Sequence, residues 1–243
     1  MSVAIQFAFV LVEPGEAGNI GAVARALNTM GFSDLRLVRP KADPLCGVAR
    51  AFAHGSEHLL ENAPVCDRLE DALIDIDLAC ATTARHRLQK HHYVSARELP
   101  KNLQQKGDRL HKVALVFGSE RSGLSNQDVA LCDLLTTIPQ ANLQPSLNLS
   151  QAVMIYSYIL AEQQTQVQIV DKRLNSEQVP VEQYGKLKDS LTELMQRIGL
   201  SERYQRYVLK AIARLKYEDL TLIQNIKTFT NNKLDQLEAL SKQ

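Results

Sequence analysis

Short apolar runs alternate with amphipathic stretches over most of the chain. Short runs bounded by glycine, proline or polar residues are typical of buried β-strands. They predict strands at residues 7–12, 35–38, 78–82, 113–117 and 134–138. Apolar residues spaced three or four apart predict helices at residues 20–30, 48–53, 69–74, 96–105 and 149–161. Because strands alternate with helices, the predicted fold class is α/β, a parallel sheet with helices on both faces.

The last third of the chain has a different pattern. Residues 163–180 are rich in glutamine, valine and charged residues, and we interpret them as a linker. Residues 181–243 show helical spacing and no strand pattern. One apolar stripe in this segment consists of Leu187, Leu191, Leu194, Met195 and Ile198. The predicted organisation is therefore an α/β domain at residues 1–162, a linker, and a small all-α extension.

A glycine-containing loop, GSERSG, follows the apolar run at residues 113–117. It contains Gly118 and Glu120. Ser125 is a candidate N-cap of the next helix, because Asp128 follows three residues later, as in a capping box. Glycine lets the backbone approach a ligand closely, and α/β sheets bind ligands at the carboxyl ends of their strands. The pattern therefore predicts a ligand-binding loop.

Two further polar loops follow predicted strands. The first reads GNIGAVAR, and Asn19 is expected to cap the helix that begins there. Arg25 stands one helical turn after Gly21, where a guanidinium can bind a phosphate or lie beside a ribose hydroxyl. The second loop reads IPQANLQPSLNLS and ends at another helix start, whose free N–H groups suit a polar ligand.

Taken in chain order (GNIGAVAR, GSERSG, IPQANLQPSLNLS), these three loops resemble the three motifs of the SpoU branch of the SPOUT methyltransferases. The resemblance is strongest to the TrmJ/LasT-like group of tRNA/rRNA 2′-O-methyltransferases, and it covers residues 5–160 closely. It implies a trefoil knot in the last part of the sheet and S-adenosyl-L-methionine as the methyl donor. It also implies an RNA substrate, with tRNA favoured over rRNA, and a homodimer in which the donor site lies near the subunit interface and Arg25 acts across it.

The resemblance also implies roles for individual residues. Arg25 would activate the target 2′-hydroxyl, and the further catalytic positions are Asn19, Glu120 and Asn148. The positions implied for donor binding are Thr82, Thr83, Ala84, Gly118, Ile138, Pro145, Ser146 and Leu147. Pro145 departs from the family pattern, in which a second serine or a tyrosine is common, and proline can offer only its carbonyl.

The net charge of +1 excludes a strongly basic, histone-like protein, but cations cluster locally. One cluster, after the strand at residues 78–82, contains Arg85, Arg87 and Lys90. It is predicted to contact RNA phosphates, and the alternative is an exposed basic loop without a partner. Histidines His86, His91 and His92 are interleaved with it, but they lack a carboxylate or thiol at ligand spacing. We therefore predict no metal site.

A second group of cations lies in the C-terminal extension. Arg203, Arg206, Lys210 and Arg214 form one stripe of a helix. The opposite face is predicted to consist of Tyr204, Val208, Ala211, Ile212 and Leu215. The functional interpretation is a second RNA-binding surface, and the alternative is a solvated helix face.

Cysteine spacing and hydropathy suggest a cellular location. The four cysteines lack paired spacing, which predicts free thiols and a reducing cytoplasm. No apolar run approaches the length of a membrane span, and the first residues lack the basic region of a signal peptide. We therefore expect a cytoplasmic protein without membrane contact.

Two other functions are alternatives to an RNA methyltransferase. A nicotinamide-dependent enzyme is disfavoured, because the G-x-G-x-x-G pattern is absent after the first strand and a Walker-type phosphate loop is missing. A catalytically silent RNA-binding member with the same fold is the second alternative. The residues that favour activity over silence are Asn19, Arg25, Glu120, Ser146 and Asn148.

Overall fold

The computed structural model describes residues 5–84, 93–142, 146–170, 184–215 and 217–240. Its centre is a seven-stranded parallel sheet with the order β3-β2-β1-β6-β4-β7-β5. The strands are β1 (Gln6–Val12), β2 (Asp34–Val38), β3 (Val65–Cys66), β4 (Leu78–Thr82), β5 (Tyr93–Ser95), β6 (Lys112–Phe117) and β7 (Leu134–Thr137). The predicted parallel α/β fold is confirmed, whereas the trefoil knot stays a prediction.

Helices connect and cover these strands. Those before the last strand are α1 (Ala17–Thr29), α2 (Gly47–Ala53), α3 (Glu57–Glu61), α4 (Leu69–Ala72), α5 (Leu99–Gln104) and α6 (Asn126–Ala130). Those after it are α7 (Leu149–Val170), α8 (Tyr184–Arg197), α9 (Glu202–Ile212) and α10 (Tyr217–Leu240). Among the described helices, none is both long and apolar enough to cross a membrane.

The sheet is buried on both faces, as its continuous apolar runs predict. In β1, Phe9 and Leu11 face one side of the sheet, and Ala8 and Val10 face the other. The first side packs against most of the helices, including α1, α2, α7 and α8. The second side is a smaller layer to which α4 and α6 contribute. In β1 the larger side chains therefore face the side that more helices cover.

Some elements differ from the sequence prediction. The strand β5 and the helix α3 were not predicted, because three and five residues are too few to show a period. The helix α1 begins at Ala17, so the expectation that Asn19 caps it was wrong; the N-cap is Glu16. The helix α7 continues to Val170, into the segment predicted as a linker. The division into domains itself stays a prediction.

Buried polar residues hold the C-terminal helices on the amino-end edge of the sheet. Lys106 and Arg109, which precede β6, are both fully buried. The ammonium of Lys106 donates to the carbonyls of Ala213 and Leu215 at the end of α9. Arg109 donates to Gln224 Oε1 and to a threonine hydroxyl of α10, both at 2.9 Å. Burial lowers the pKa of Lys106 to about 8.

A close approach of α1 and α2 leads to a stability prediction. A Cβ added to Gly21 would lie 2.0 Å from the carbonyl oxygen of Ala49, so the two helices would have to move apart. We expect Gly21→Ala to lower the free energy of unfolding by about 1–3 kcal/mol, as overpacked cores do. Gly47→Ala is the matched control, because a Cβ there meets nothing within 4 Å. Equal denaturation midpoints for the two variants would contradict this account of α1–α2 packing.

Candidate active site

One cleft lies at the carboxyl ends of β6, β4 and β7, which are adjacent in the sheet. Its volume is about 650 Å³. Because parallel strands end at the same edge, the loops that follow these three strands meet there. The predicted donor-binding residues that line it are Thr82, Thr83, Ala84, Gly118, Ile138, Ser146 and Leu147. The fold therefore brings together loops that the sequence analysis had singled out separately.

The side chain of Asn19 connects all three motif loops. Its amide nitrogen donates to Glu120 Oε1 at 2.9 Å, and its amide oxygen accepts from Asn148 Nδ2 at 2.8 Å. Glu120 Oε2 accepts from the backbone N–H of Gly15 at 2.9 Å. Asn19 is only 8% exposed, so these hydrogen bonds are largely shielded from water. Asn19 thus acts as a cross-link at the rim of the cleft.

Asn148 is fixed from two sides. It directly precedes α7, and its amide oxygen accepts from the N–H and the hydroxyl of Ser150, at 2.8 and 2.7 Å. This is the contact of an N-cap, which orients the amide group so that its nitrogen points to Asn19. The side chains of both asparagines therefore form their hydrogen bonds within the protein. They act as positioning residues in this arrangement, and a direct catalytic role stays a prediction.

The carboxyl group of Glu120 is held in its ionised form. Burial tends to raise its pKa, but hydrogen bonds from Asn19 and from the N–H of Gly15 outweigh burial and lower the pKa below its ordinary value. A negative charge is therefore present at the rim of the cleft at neutral pH. It lies where a cationic ligand would be stabilised.

The loop after β6 requires its glycines. A Cβ at Gly118 would lie 2.1 Å from backbone atoms of Gly123 and Leu124, so only glycine fits there. Gly123 has a φ of +67°, which favours glycine, and its N–H donates to the carbonyl of Ser119 at 2.8 Å. The loop ends at the capping box of Ser125 and Asp128, which was predicted and is confirmed.

Several lining residues were missed. Leu149, Ala152 and Tyr156 line the cleft from α7. Their spacing of three and four places them on one helix face, and this spacing could have identified them once Leu147 was chosen. The hydroxyl groups of Tyr156 and Thr136 are 3.0 Å apart in the buried floor below the cleft. Gln140 also lines the cleft and lies in the third motif loop, although it was not chosen as a site residue.

Arg25 lies outside this cleft. It is exposed on α1, six residues beyond Asn19, which corresponds to about 9 Å along a helix. Within the described part of the chain, its side chain has no hydrogen-bond or ion-pair partner. Arg25 is also not among the described residues that line the cleft.

The predicted RNA-binding residues are only partly described. Arg85, Arg87 and Lys90 lie outside the described residues, as do the three histidines near them and Pro145, which was predicted to bind the donor. In the extension, Arg203, Arg206 and Arg214 are exposed and Lys210 is partly buried. On the predicted opposite face of α9, Tyr204, Val208 and Ala211 are exposed, while Ile212 and the neighbouring Leu209 pack against the core.

Comparison with known proteins decides the family. The model of the SpoU rRNA methylase family matches residues 6–158. The chain belongs to this family. The protein named LasT of Escherichia coli K12, described as an uncharacterized tRNA/rRNA methyltransferase, is 47% identical over 157 residues, 65% of this chain and 68% of LasT. A tRNA (cytidine/uridine-2′-O-)-methyltransferase, TrmJ of Pectobacterium atrosepticum, is 40% identical over 149 residues, 61% of each chain.

A solved structure extends the match to the C-terminal helices. A probable methylase family protein from Haemophilus influenzae Rd KW20 has a TM-score of 0.64 and 30% identity, over 97% of this chain and 100% of that chain. The SPOUT-type methylase fold with a helical extension is therefore confirmed. Membership of the SpoU family also argues against the nicotinamide-dependent alternative.

The ionised state of Glu120 leads to a pH-dependent prediction. Glu120→Gln removes the charge that Asn19 and Gly15 stabilise, and we expect it to lower the free energy of unfolding by about 1–2 kcal/mol at neutral pH. Because the folded pKa is lowered, this contribution is complete above the ordinary pKa and is lost as the pH falls through the folded value. Chemical denaturation of the unaltered protein and of Glu120→Gln should therefore show a difference in free energy of unfolding that shrinks below about pH 4.

The matched control is Glu61→Gln, which removes an exposed carboxylate that pairs with Arg50. An exposed ion pair contributes little, so this variant should unfold almost like the unaltered protein. A stability difference for Glu120→Gln that stays constant from neutral to acidic pH would show that its charge is not what the hydrogen bonds stabilise.

Proposed function

We propose that this chain transfers a methyl group from S-adenosyl-L-methionine to the ribose 2′-hydroxyl of a nucleotide in structured RNA, with tRNA as the substrate. The observation that carries the proposal is the Asn19 cross-link, which joins the three SpoU-type loops at one cleft. The identity to TrmJ, a tRNA 2′-O-methyltransferase by name, supports tRNA and the ribose oxygen. An rRNA substrate is the alternative, since LasT is described with both RNAs.

The cleft suits this donor in size and chemistry. Its volume lies within the range of small-molecule sites. Apolar side chains of Ile138, Leu147 and Leu149 offer contact to an adenine ring, while Thr82 and Thr83 offer polar groups. The carboxylate of Glu120 complements the positive charge of a sulfonium. When bound, the donor supplies an electrophilic methyl carbon, and the protein supplies position and electrostatics.

The reaction needs the ribose oxygen to approach in line with the bond from methyl carbon to sulfur. As the new carbon–oxygen bond forms, the carbon–sulfur bond breaks and the hydroxyl proton passes to solvent. An arginine cannot accept that proton, because it stays protonated at all ordinary pH values. Arg25 would instead stabilise the negative charge that develops on the oxygen. For this role Arg25 must reach a bound ribose, yet it does not line the cleft of its own protomer.

We therefore include a homodimer in the proposal. A groove of about 490 Å³ runs between α1 and α7 and is lined by Ala22, Ala26, Leu147, Met154 and Ile155, among others. Leu147 also lines the cleft, so the groove and the cleft adjoin. Arg25 stands between the two alanines on α1. A second copy seated on this groove would place its own Arg25 near the neighbouring cleft.

We also propose that the protein acts in the cytoplasm, because all four cysteines are unpaired.

The alternative is a catalytically silent RNA-binding protein, which would need neither a donor-sized cleft nor an ionised Glu120 beside it. Calorimetry with S-adenosylhomocysteine, followed by methyl transfer to RNA from a strain lacking the gene, tests the two functions. Binding of the donor product without any RNA methylation would favour the silent protein.

Arg25→Ala should reduce methyl transfer by about 100-fold or more, since it removes the charge that stabilises the developing oxyanion. Binding of S-adenosylhomocysteine should stay unchanged, because Arg25 does not line the cleft. The matched control is Arg50→Ala on α2, an exposed arginine that pairs with Glu61. Methyl transfer at the unaltered rate by Arg25→Ala would remove this arginine from the mechanism.

Mixed dimers test whether Arg25 acts across subunits. Gly118→Ala disrupts the cleft loop, so it and Arg25→Ala are each expected to be inactive alone. After unfolding and refolding together, hybrid dimers contain one intact cleft facing an intact Arg25. Random pairing should then restore about a quarter of the activity. If the mixture stays as inactive as either variant, Arg25 does not act in the partner's site.

The groove leads to a prediction about assembly. Ile155→Glu places a charge in the groove and should yield monomers in size-exclusion chromatography with light scattering, because an unpaired charge is costly to bury at an interface. Ile74→Glu is the control, since Ile74 is 87% exposed and lies away from the groove. Dimers of normal stability in Ile155→Glu would place the subunit interface elsewhere.

A further inference from the structure

The exposed face of α9 combines cations with aromatic rings. Tyr204 is 62% exposed and Tyr207 is 54% exposed. Arg203 and Arg206 are exposed as well. A helical turn of 3.6 residues places Tyr207 beside the basic stripe and Tyr204 about 60° further around the helix, while Leu209 and Ile212 face the core. The helix therefore presents one continuous basic and aromatic surface.

We propose that Tyr204 and Tyr207 stack on unpaired bases of the RNA substrate while the neighbouring arginines bind its phosphates. Every base has an aromatic face, and stacking on exposed rings is how proteins bind single-stranded nucleic acid. In double-stranded RNA the bases are stacked on each other, so rings of this kind select loops, bulges and ends. This inference rests on the proposed function and specifies the kind of RNA that the enzyme binds.

The charge of α9 fits this partner. Between residues 202 and 214, Glu202 is the only acid, and it stands against four cations. No residue of α9 lines the donor cleft. The contacts of Lys106 hold the end of α9 at the amino-end edge of the sheet, whereas the cleft lies at the carboxyl edge. The surface therefore binds a part of the RNA other than the nucleotide that is methylated.

The test compares a stem-loop RNA with a blunt duplex of the same strand length. The double variant Tyr204→Ala/Tyr207→Ala should weaken binding of the stem-loop by at least about tenfold, since the loss of each stacked base alone weakens binding by roughly five- to 150-fold. Binding of the blunt duplex should change little. The salt dependence of stem-loop binding should keep its slope, because no charge is removed. In methyl-transfer assays the variant should raise KM and leave kcat nearly unchanged.

Two matched variants separate stacking from charge. Tyr204→Phe/Tyr207→Phe keeps both rings and should bind the stem-loop like the unaltered protein. Arg203→Gln/Arg206→Gln should weaken both RNAs and flatten the salt slope. Binding of S-adenosylhomocysteine serves as the folding control for every variant.

Equal weakening of duplex and stem-loop by the alanine variant, or no weakening at all, would overturn the stacking proposal. A preference for the stem-loop that depends on both rings, in a protein that methylates no RNA, would uphold stacking and refute the proposed enzymatic activity. The two proposals therefore fail separately.

Discussion

A single buried amide, that of Asn19, holds together loops that are 101 and 129 residues apart in the chain. The amide has a donor nitrogen and an acceptor oxygen, so its nitrogen must face the Glu120 carboxylate and its oxygen must face the side-chain nitrogen of Asn148. The cost of leaving such a buried group without a partner makes this arrangement specific. The same amide lowers the pKa of Glu120 and accepts from the Asn148 side chain that caps α7.

Backbone packing prepares this interaction. Gly21 lets α1 approach α2 closely, and Gly118 lets the loop after β6 fold back on itself. Both positions place the backbone where a methyl group would not fit. The elements that carry Asn19 and Glu120 are therefore fixed by contacts of main-chain atoms, which tolerate little displacement. Rigid elements of this kind suit a reaction that depends on alignment more than on covalent catalysis.

The two ends of the strands in the sheet carry different features. The carboxyl ends of the strands form the cleft, and the amino ends carry Lys106 and Arg109, which attach the C-terminal helices. Buried cations of this kind are costly without hydrogen-bond partners; here backbone carbonyls accept from Lys106, and side-chain oxygens accept from the two terminal nitrogens of Arg109. The attachment leaves one side of α9 in solvent. In the proposed function, methyl transfer and recognition of the RNA therefore take place at different ends of one sheet.

The sequence by itself determined the α/β class, the central strands and the three loops, because burial on both faces requires apolar runs and close turns require glycine. It did not determine that Asn19 points to Glu120 instead of capping α1, because this depends on where the helix begins in space. Nor did it show that Tyr204 is exposed, since periodicity identifies a helix face but not whether a partner covers it. Only the tertiary structure decided these points, because contacts between distant residues leave no periodic signal in the chain.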